Sequence, residues 1–194
     1  MTPNDTERTP RLAADASGLR ADARRNRERV LAAARRCFAE DGYDVPLDRI
    51  AARAGVGAGT VYRHFSSKEA LFTAVQEERV GELVAIAEEG ALADDPGRAL
   101  GDFLRMLAVE AAVKRDLPDT LTAPRSAANR MRHALGPLLS RAQDRGMANP
   151  DLTVDDLIAL IKALFRATRT ADQAMTDRLV DVIVRGILID ATDE

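Results

Sequence analysis

Residues 47–72 read LDRIAARAGVGAGTVYRHFSSKEALF, and their pattern decides the fold. Leu47, Ile50, Ala51 and Ala54 recur at helical spacing, and Gly55 follows as a stop. Val56-Gly57 is a tight connection, and residues 58–65 make a second short helix. Two short helices joined by a glycine turn form a helix-turn-helix. Ala51 is small where two helices must approach closely, and Gly55 suits the left-handed backbone of the turn. Ile50, Val56, Val61 and Phe65 form an apolar side that can pack on a preceding helix. That leaves Gly57, Ala58, Gly59, Thr60, Tyr62, Arg63 and His64 for the outer face or the N-terminal end of the second helix. Small residues there let the backbone come near a DNA groove, and the polar ones carry donors for phosphates or base edges. The competing reading is a helical hairpin that packs on something else.

Outward from this stretch the chain stays helical. Upstream, residues 22–40 place Val30, Leu31, Ala34, Cys37 and Phe38 on one face, arginines cover the others, and Gly42 stops the helix. Arg20, Arg24, Arg25 and Arg27 lie at or before its start, where a basic arm reaches a phosphate backbone or minor groove. Residues 1–20 are polar, carry Pro3, Pro10 and Gly18 and show no periodicity, so they read as a disordered tail. Downstream, Ser67 caps a fourth helix that runs to 89 and ends at Gly90. Lys68 at its start is placed to hold a phosphate together with backbone amides.

Charge agrees with this division. Residues 20–68 hold eleven Lys/Arg against six Asp/Glu, while residues 69–194 hold fifteen against twenty-two. A basic N-terminal third on an acidic remainder suggests that one part meets a polyanion; a solvated basic face is the plain alternative.

The remainder reads as further helices. Asp95-Pro96 opens one, Ser126 opens another that closes at Gly146, Thr153 caps a third, and residues 174–189 make the last. The runs VDDLIALIKALF (154–165) and LVDVIVRGILI (179–189) are apolar around much of their circumference. One packed face needs only a stripe, so the surplus points to a partner subunit or to a central helix within one chain. The first twenty residues lack an apolar signal core, and no apolar stretch is long enough to span a bilayer. The single cysteine, Cys37, makes neither an intrachain disulfide nor a multi-cysteine metal site. These features point to a cytoplasmic protein with no cofactor or metal framework.

The compound pattern of residues 25–72 is more selective than a generic helix-turn-helix. With its AEDGYD turn, YRHF and KEALF, it resembles the DNA-binding signature of TetR-type transcriptional regulators. The resemblance implies an all-α homodimer on a palindromic operator, most often a repressor. It implies a three-helix DNA-binding domain (21–67) followed by a helical ligand-binding and dimerisation domain (68–194). By motif position Gly57, Ala58, Gly59 and Thr60 begin the recognition helix, and Tyr62, His64 and Lys68 are phosphate contacts. Two departures stand out. The family often has Ser or Thr where this chain has Gly57, and a hydroxyl near Leu47. With few long side chains on this face, Arg63 is expected to carry most direct base readout, with Arg24 and Arg25 on the arm. The resemblance further implies pairing through the last two long helices, where Gly186 permits close approach, and an effector pocket. Phe103, Met106, Leu107 and Glu110, opposed by Met131, Leu135 and Phe165, are its candidate lining; simple core is the alternative for each, and Lys114 is a surface partner for Glu110.

Two other classes compete with this reading. A small helical enzyme finds little support: the two histidines, His64 and His133, join no Ser/His/Asp set, and no phosphate-cradling glycine loop occurs. Cys37 on an apolar helix face reads as packing rather than redox chemistry. A helical dimeric adaptor without DNA binding is opposed by the intact arm and by Tyr62, His64 and Lys68.

Overall fold

A computed structural model describes residues 9–113, 125–168 and 171–189, with side chains from 20–107, 126–168 and 171–189. Among the described residues there are eight helices: α1 Thr9–Asp41, α2 Leu47–Ala54, α3 Ala58–His64, α4 Lys68–Leu92, α5 Pro96–Val113, α6 Arg125–Asp144, α7 Val154–Ala167 and α8 Gln173–Ile187. No strand occurs among them beyond one isolated bridge, Ala148 with Leu188. The chain divides into two compact units, Met1–Val75 and Gln76–Glu194, with the boundary inside α4.

In the first unit α1 packs on both α2 and α3. Val30, Leu31, Ala34, Cys37 and Phe38 are buried, as the spacing predicts, together with Ile50, Ala51, Ala54, Val61, Phe65, Leu71 and Phe72. Each large apolar side chain taken out of water contributes about 1.5–3 kcal/mol. Val56 is only half-buried. Gly55 closes α2 in the left-handed region at φ 65°, and the Val56 N–H donates to the Ala51 carbonyl at 3.1 Å. A side chain at Gly55 would be strained, and its Cβ would also meet Arg29 Nη2 at 2.6 Å.

Two expectations need correction here. The helix expected over 22–40 begins at Thr9, so residues 9–20 belong to α1 and not to an unstructured tail. These residues lack an apolar stripe, but Ala13, Ala14, Ala16, Leu12 and Arg11 are strong helix formers, and propensity carries the helix back. Gly90 does not end α4, which continues to Leu92. A Cβ at Gly90 would lie 3.3 Å from Ala99 Cβ and 3.4 Å from Leu138, so the glycine serves close packing.

The second unit is built on Leu100, Phe103, Leu104, Leu107, Leu135, Leu138, Leu157, Leu164, Val180, Val184 and Ile187. Its helix starts follow the expected chemistry. Asp95 Oδ1 accepts from the Arg98 N–H at 2.8 Å. Thr153 and Asp156 form a reciprocal capping box on α7, and Asp172 accepts from the Met175 N–H at 2.7 Å on α8. Gly146 follows α6 at φ 69°. The Asn149 N–H donates to the Ile187 carbonyl at 2.8 Å, and the Ile189 N–H to the Met147 carbonyl at 3.0 Å, tying the end of α8 to the loop after α6. Lys114 lies outside the described residues.

Candidate nucleic-acid interface

The sequence of α3 sorts its residues onto two sides. Val61 is 1% exposed and Phe65, which caps the helix, 5%. They fix α3 against α1 and leave Gly57, Gly59, Tyr62 and Arg63 exposed, with Ala58, Thr60 and His64 half-buried. Tyr62 leaves 56% of its surface in water. Gly57 is the N-cap, its backbone extended and without a side-chain cap. A Cβ added at Gly57 or at Gly59 would meet nothing within 4 Å. Packing within the chain therefore does not demand a small residue at either position.

Leu47, half-buried, opens α2 behind Pro46, which provides no capping side chain. Lys68 opens α4. The preceding Ser67 accepts the Ala70 N–H at 3.2 Å, the cap the sequence indicates. The Lys68 ammonium lies 4.7 Å from the centroid of the Tyr43 ring. Arg24 and Arg25 are exposed on α1, near Glu28 (3.8 Å) and Asp22 respectively. Exposed pairs one turn apart are worth a few tenths of a kcal/mol, about 0.3–0.5, and yield readily to a polyanion.

The positive charges of the first unit divide into two groups that counting along the chain does not separate. Arg53 grips Glu40 with both terminal nitrogens, and Arg49 Nη2 sits 3.1 Å from Asp41, so α2 is fastened to the end of α1. The Arg53 hydrogen bond holds the Glu40 carboxyl below the ordinary carboxylate value. Arg29 Nη2 donates to the Gly55 carbonyl at 3.1 Å, at the C-terminal end of α2. The Arg27 guanidinium lies 5.4 Å from the Phe65 ring centroid, at the end of α3. Arg27, read from its place in the arm as facing a phosphate backbone, thus rests on the helix-turn-helix itself. Tyr43 was not singled out by sequence reasoning. Its contacts with Lys68 and Glu69 cross 25 residues or more, and no local spacing announces them.

The candidate effector residues fall in the second unit. Phe103, Leu107 and Leu135 are buried in one cluster, with Met106, Met131 and Phe165 packed against it. Glu110 is in α5, and its side chain lies outside the described residues. His133 is exposed on α6, 2.7 Å from the Asn129 carbonyl. Among the described residues no helix is long and apolar enough to cross a membrane.

Comparison with known proteins supplies the lineage. Residues 30–75 match the family model described as bacterial regulatory proteins, tetR family. Residues 95–189 match the model of the SbtR-like transcriptional regulator C-terminal domain. The transcriptional repressor AcnR of Corynebacterium glutamicum is 28% identical over 169 residues, 81% of this chain and 88% of its own. A TetR transcription regulatory protein from Mycobacterium vanbaalenii superposes with a TM-score of 0.67 at 42% identity, covering 88% of this chain and 99% of that one. The TetR regulator SCO0520 from Streptomyces coelicolor gives 0.68 at 31% identity, with 85% and 99% covered. Both units are thus accounted for by one lineage, and the chain belongs to the TetR family of DNA-binding transcriptional regulators.

Proposed function

We propose that this chain is a ligand-responsive repressor that binds a palindromic operator as a homodimer. The observation that carries the DNA-contact assignment is the outer side of α3. Two glycines that packing does not require stand beside exposed Tyr62 and Arg63. A groove wall, closer than any part of the chain itself, is the natural reason for them. In this reading Gly57, Ala58, Gly59 and Thr60 admit the backbone to the groove. Arg63 reads a base edge, and Tyr62, His64, Lys68, Leu47, Arg24 and Arg25 meet the sugar-phosphate backbone. Replacing Arg63 by Ala is expected to cost about 1–3 kcal/mol of binding per half-site and to relax the base preference at one position of each. Footprints and binding-site logos of the two proteins check this; an unchanged logo contradicts it.

Dimerisation through α7 and α8 rests on a stripe of α8. Met175, Leu179, Val182 and Gly186 recur at alternating four- and three-residue intervals, and Ile189 follows just beyond the helix end. Met175, Val182 and Ile189 are 43%, 70% and 45% exposed, whereas Thr176, Val180, Val184 and Ile187 hold the same helix on the core. A Cβ at Gly186 would meet nothing within 4 Å, so no contact within the chain explains a glycine that weakens the helix by about 1 kcal/mol. On α7, half-buried Val154, Ile158 and Ile161 repeat the arrangement. Val182→Glu should leave the chain folded and convert the dimer to monomer in sedimentation; a persistent dimer removes this interface.

The effector reading is supported by the apolar set Phe103, Met106, Leu107, Met131, Leu135 and Phe165, with Glu110 as its polar member. A bound small molecule would favour one separation of the two DNA-binding units and so change operator affinity. Thermal shift against a compound panel identifies such ligands. The chain acts by binding and has no catalytic role in this account, as its AcnR-type relative is also a regulator. Its compartment is the cytoplasm, where the operator is.

A further inference from the structure

The turn between α1 and α2 carries Tyr43, whose ring is fixed by the core. It packs edge-on against Phe72, with centroids 5.3 Å apart at 89°, and stacks beside Phe38 at 6.0 Å and 16°. Phe38 and Phe72 are 8% and 3% exposed, so the ring has little freedom. Two charged neighbours use it at once. The Lys68 ammonium sits over its face at 4.7 Å. The phenol hydroxyl donates to Glu69 Oε1 at 3.0 Å.

Lys68 and Glu69 are adjacent in sequence and opposite in charge. Unrestrained, the carboxylate would compete for the ammonium or repel a phosphate brought to it. With Tyr43 in place each charge has its own contact on that side chain. The π-face takes the cation and the hydroxyl takes the anion. We infer that Tyr43 is a positioning residue of the DNA-contact surface, holding the Lys68 ammonium ready for a backbone phosphate and the Glu69 carboxylate away from it. Burial, then the hydrogen bond to Glu69, raises the phenol to about 12, so the donor stays protonated at neutral pH. The Glu69 carboxyl is held below its ordinary value by its own backbone N–H, then by Ser67 and Tyr43. This inference rests on the reading of Lys68 as a phosphate contact.

The test uses the full chain and a selected operator duplex, with dissociation constants followed over a range of salt. Lys68→Ala should lower the salt slope of the dimer by about two, the signature of one lost phosphate contact in each chain. Tyr43→Phe keeps the ring and frees Glu69. It should weaken binding by about two- to fivefold, the size of one exposed charge contact. The double variant Tyr43→Phe/Glu69→Gln should return to parental affinity, because no carboxylate remains to be restrained. In the Lys68→Ala background Tyr43→Phe should have no further effect. Melting curves of each variant show whether the fold is kept; a tyrosine that only props up the core would lower melting and gain nothing from Glu69→Gln. If Lys68→Ala weakens binding but Tyr43→Phe is silent, or is not rescued, the inference is overturned while the DNA-contact reading stands. If Lys68→Ala also leaves binding and slope unchanged, both fall.

Discussion

Gly59 and Gly97 each sit near the start of a helix, and their surroundings are opposite. Gly59 in α3 is exposed, and a Cβ there would meet nothing within 4 Å. Gly97 in α5 is buried, and a Cβ there would lie 2.7 Å from Met147 Cβ and 3.1 Å from its sulfur. The second glycine is required by its own chain. The first is not, and it leaves room for the DNA contact proposed above. Glycine as a residue type therefore carries two meanings in one molecule, and only the three-dimensional neighbourhood tells them apart.

The same substitution at the two sites should act in opposite directions. Gly97→Ala forces the Met147 stem and the loop after α6 to move, and should destabilise the fold by about 1–3 kcal/mol in urea unfolding. A neutral result would mean that this loop yields easily and that the packing contrast is shallow. Gly59→Ala should do the reverse, stabilising α3 by up to about 1 kcal/mol through helix propensity. In the same protein it should weaken operator binding, as a methyl group now stands between backbone and groove. A gain in stability with unchanged DNA affinity would remove Gly59 from the proposed interface.

The smallest expected effect concerns pH. Glu40 in the first unit is held down by Arg53, and Asp156 in the second by the Thr153 hydroxyl and N–H. A carboxyl depressed in the folded state favours folding above its ordinary value, 4.5 for Glu40 and 3.8 for Asp156. That contribution is lost as pH falls through the folded value. Melting temperature should fall below about pH 4, and Glu40→Gln should lessen the decline. Both groups face water, so solvent screening keeps the effect small. An identical profile for Glu40→Gln would show that the Arg53 pair contributes nothing.

The contrast between the units also explains what was legible in the sequence. The helix-turn-helix was, because its determinants are local: apolar spacing in α2, a left-handed Gly55, and the Ser67 cap before Lys68. The caps of α7 and α8 follow the same short-range rules, although α8 begins one residue earlier and ends two residues sooner than the pattern gives. Gly90 looks like a stop because its reason is Ala99 and Leu138, partners remote along the chain. The start of α1 is hidden because propensity without amphipathicity leaves no stripe to see. A charge count blurs the roles of the arginines for the same reason as with Gly90. Arg29, Arg49 and Arg53 count toward the positive surplus, yet they serve the joints between α1 and α2. Tyr43 stands in the AEDGYD turn, but its place beneath Lys68 exists only once the turn and α4 have met.

In the proposed function exposed α3, doubled by a second copy of the chain, reads duplex DNA. Selection of bound fragments from random duplexes by the purified protein, followed by the stoichiometry of the complex on the recovered site, tests it most directly. The account predicts a motif with two-fold symmetry, its half-sites spaced by a helical turn of roughly 34–36 Å or a multiple, occupied by an even number of chains. A pool that shows no enrichment at modest salt, or an asymmetric site held by one chain, would contradict it.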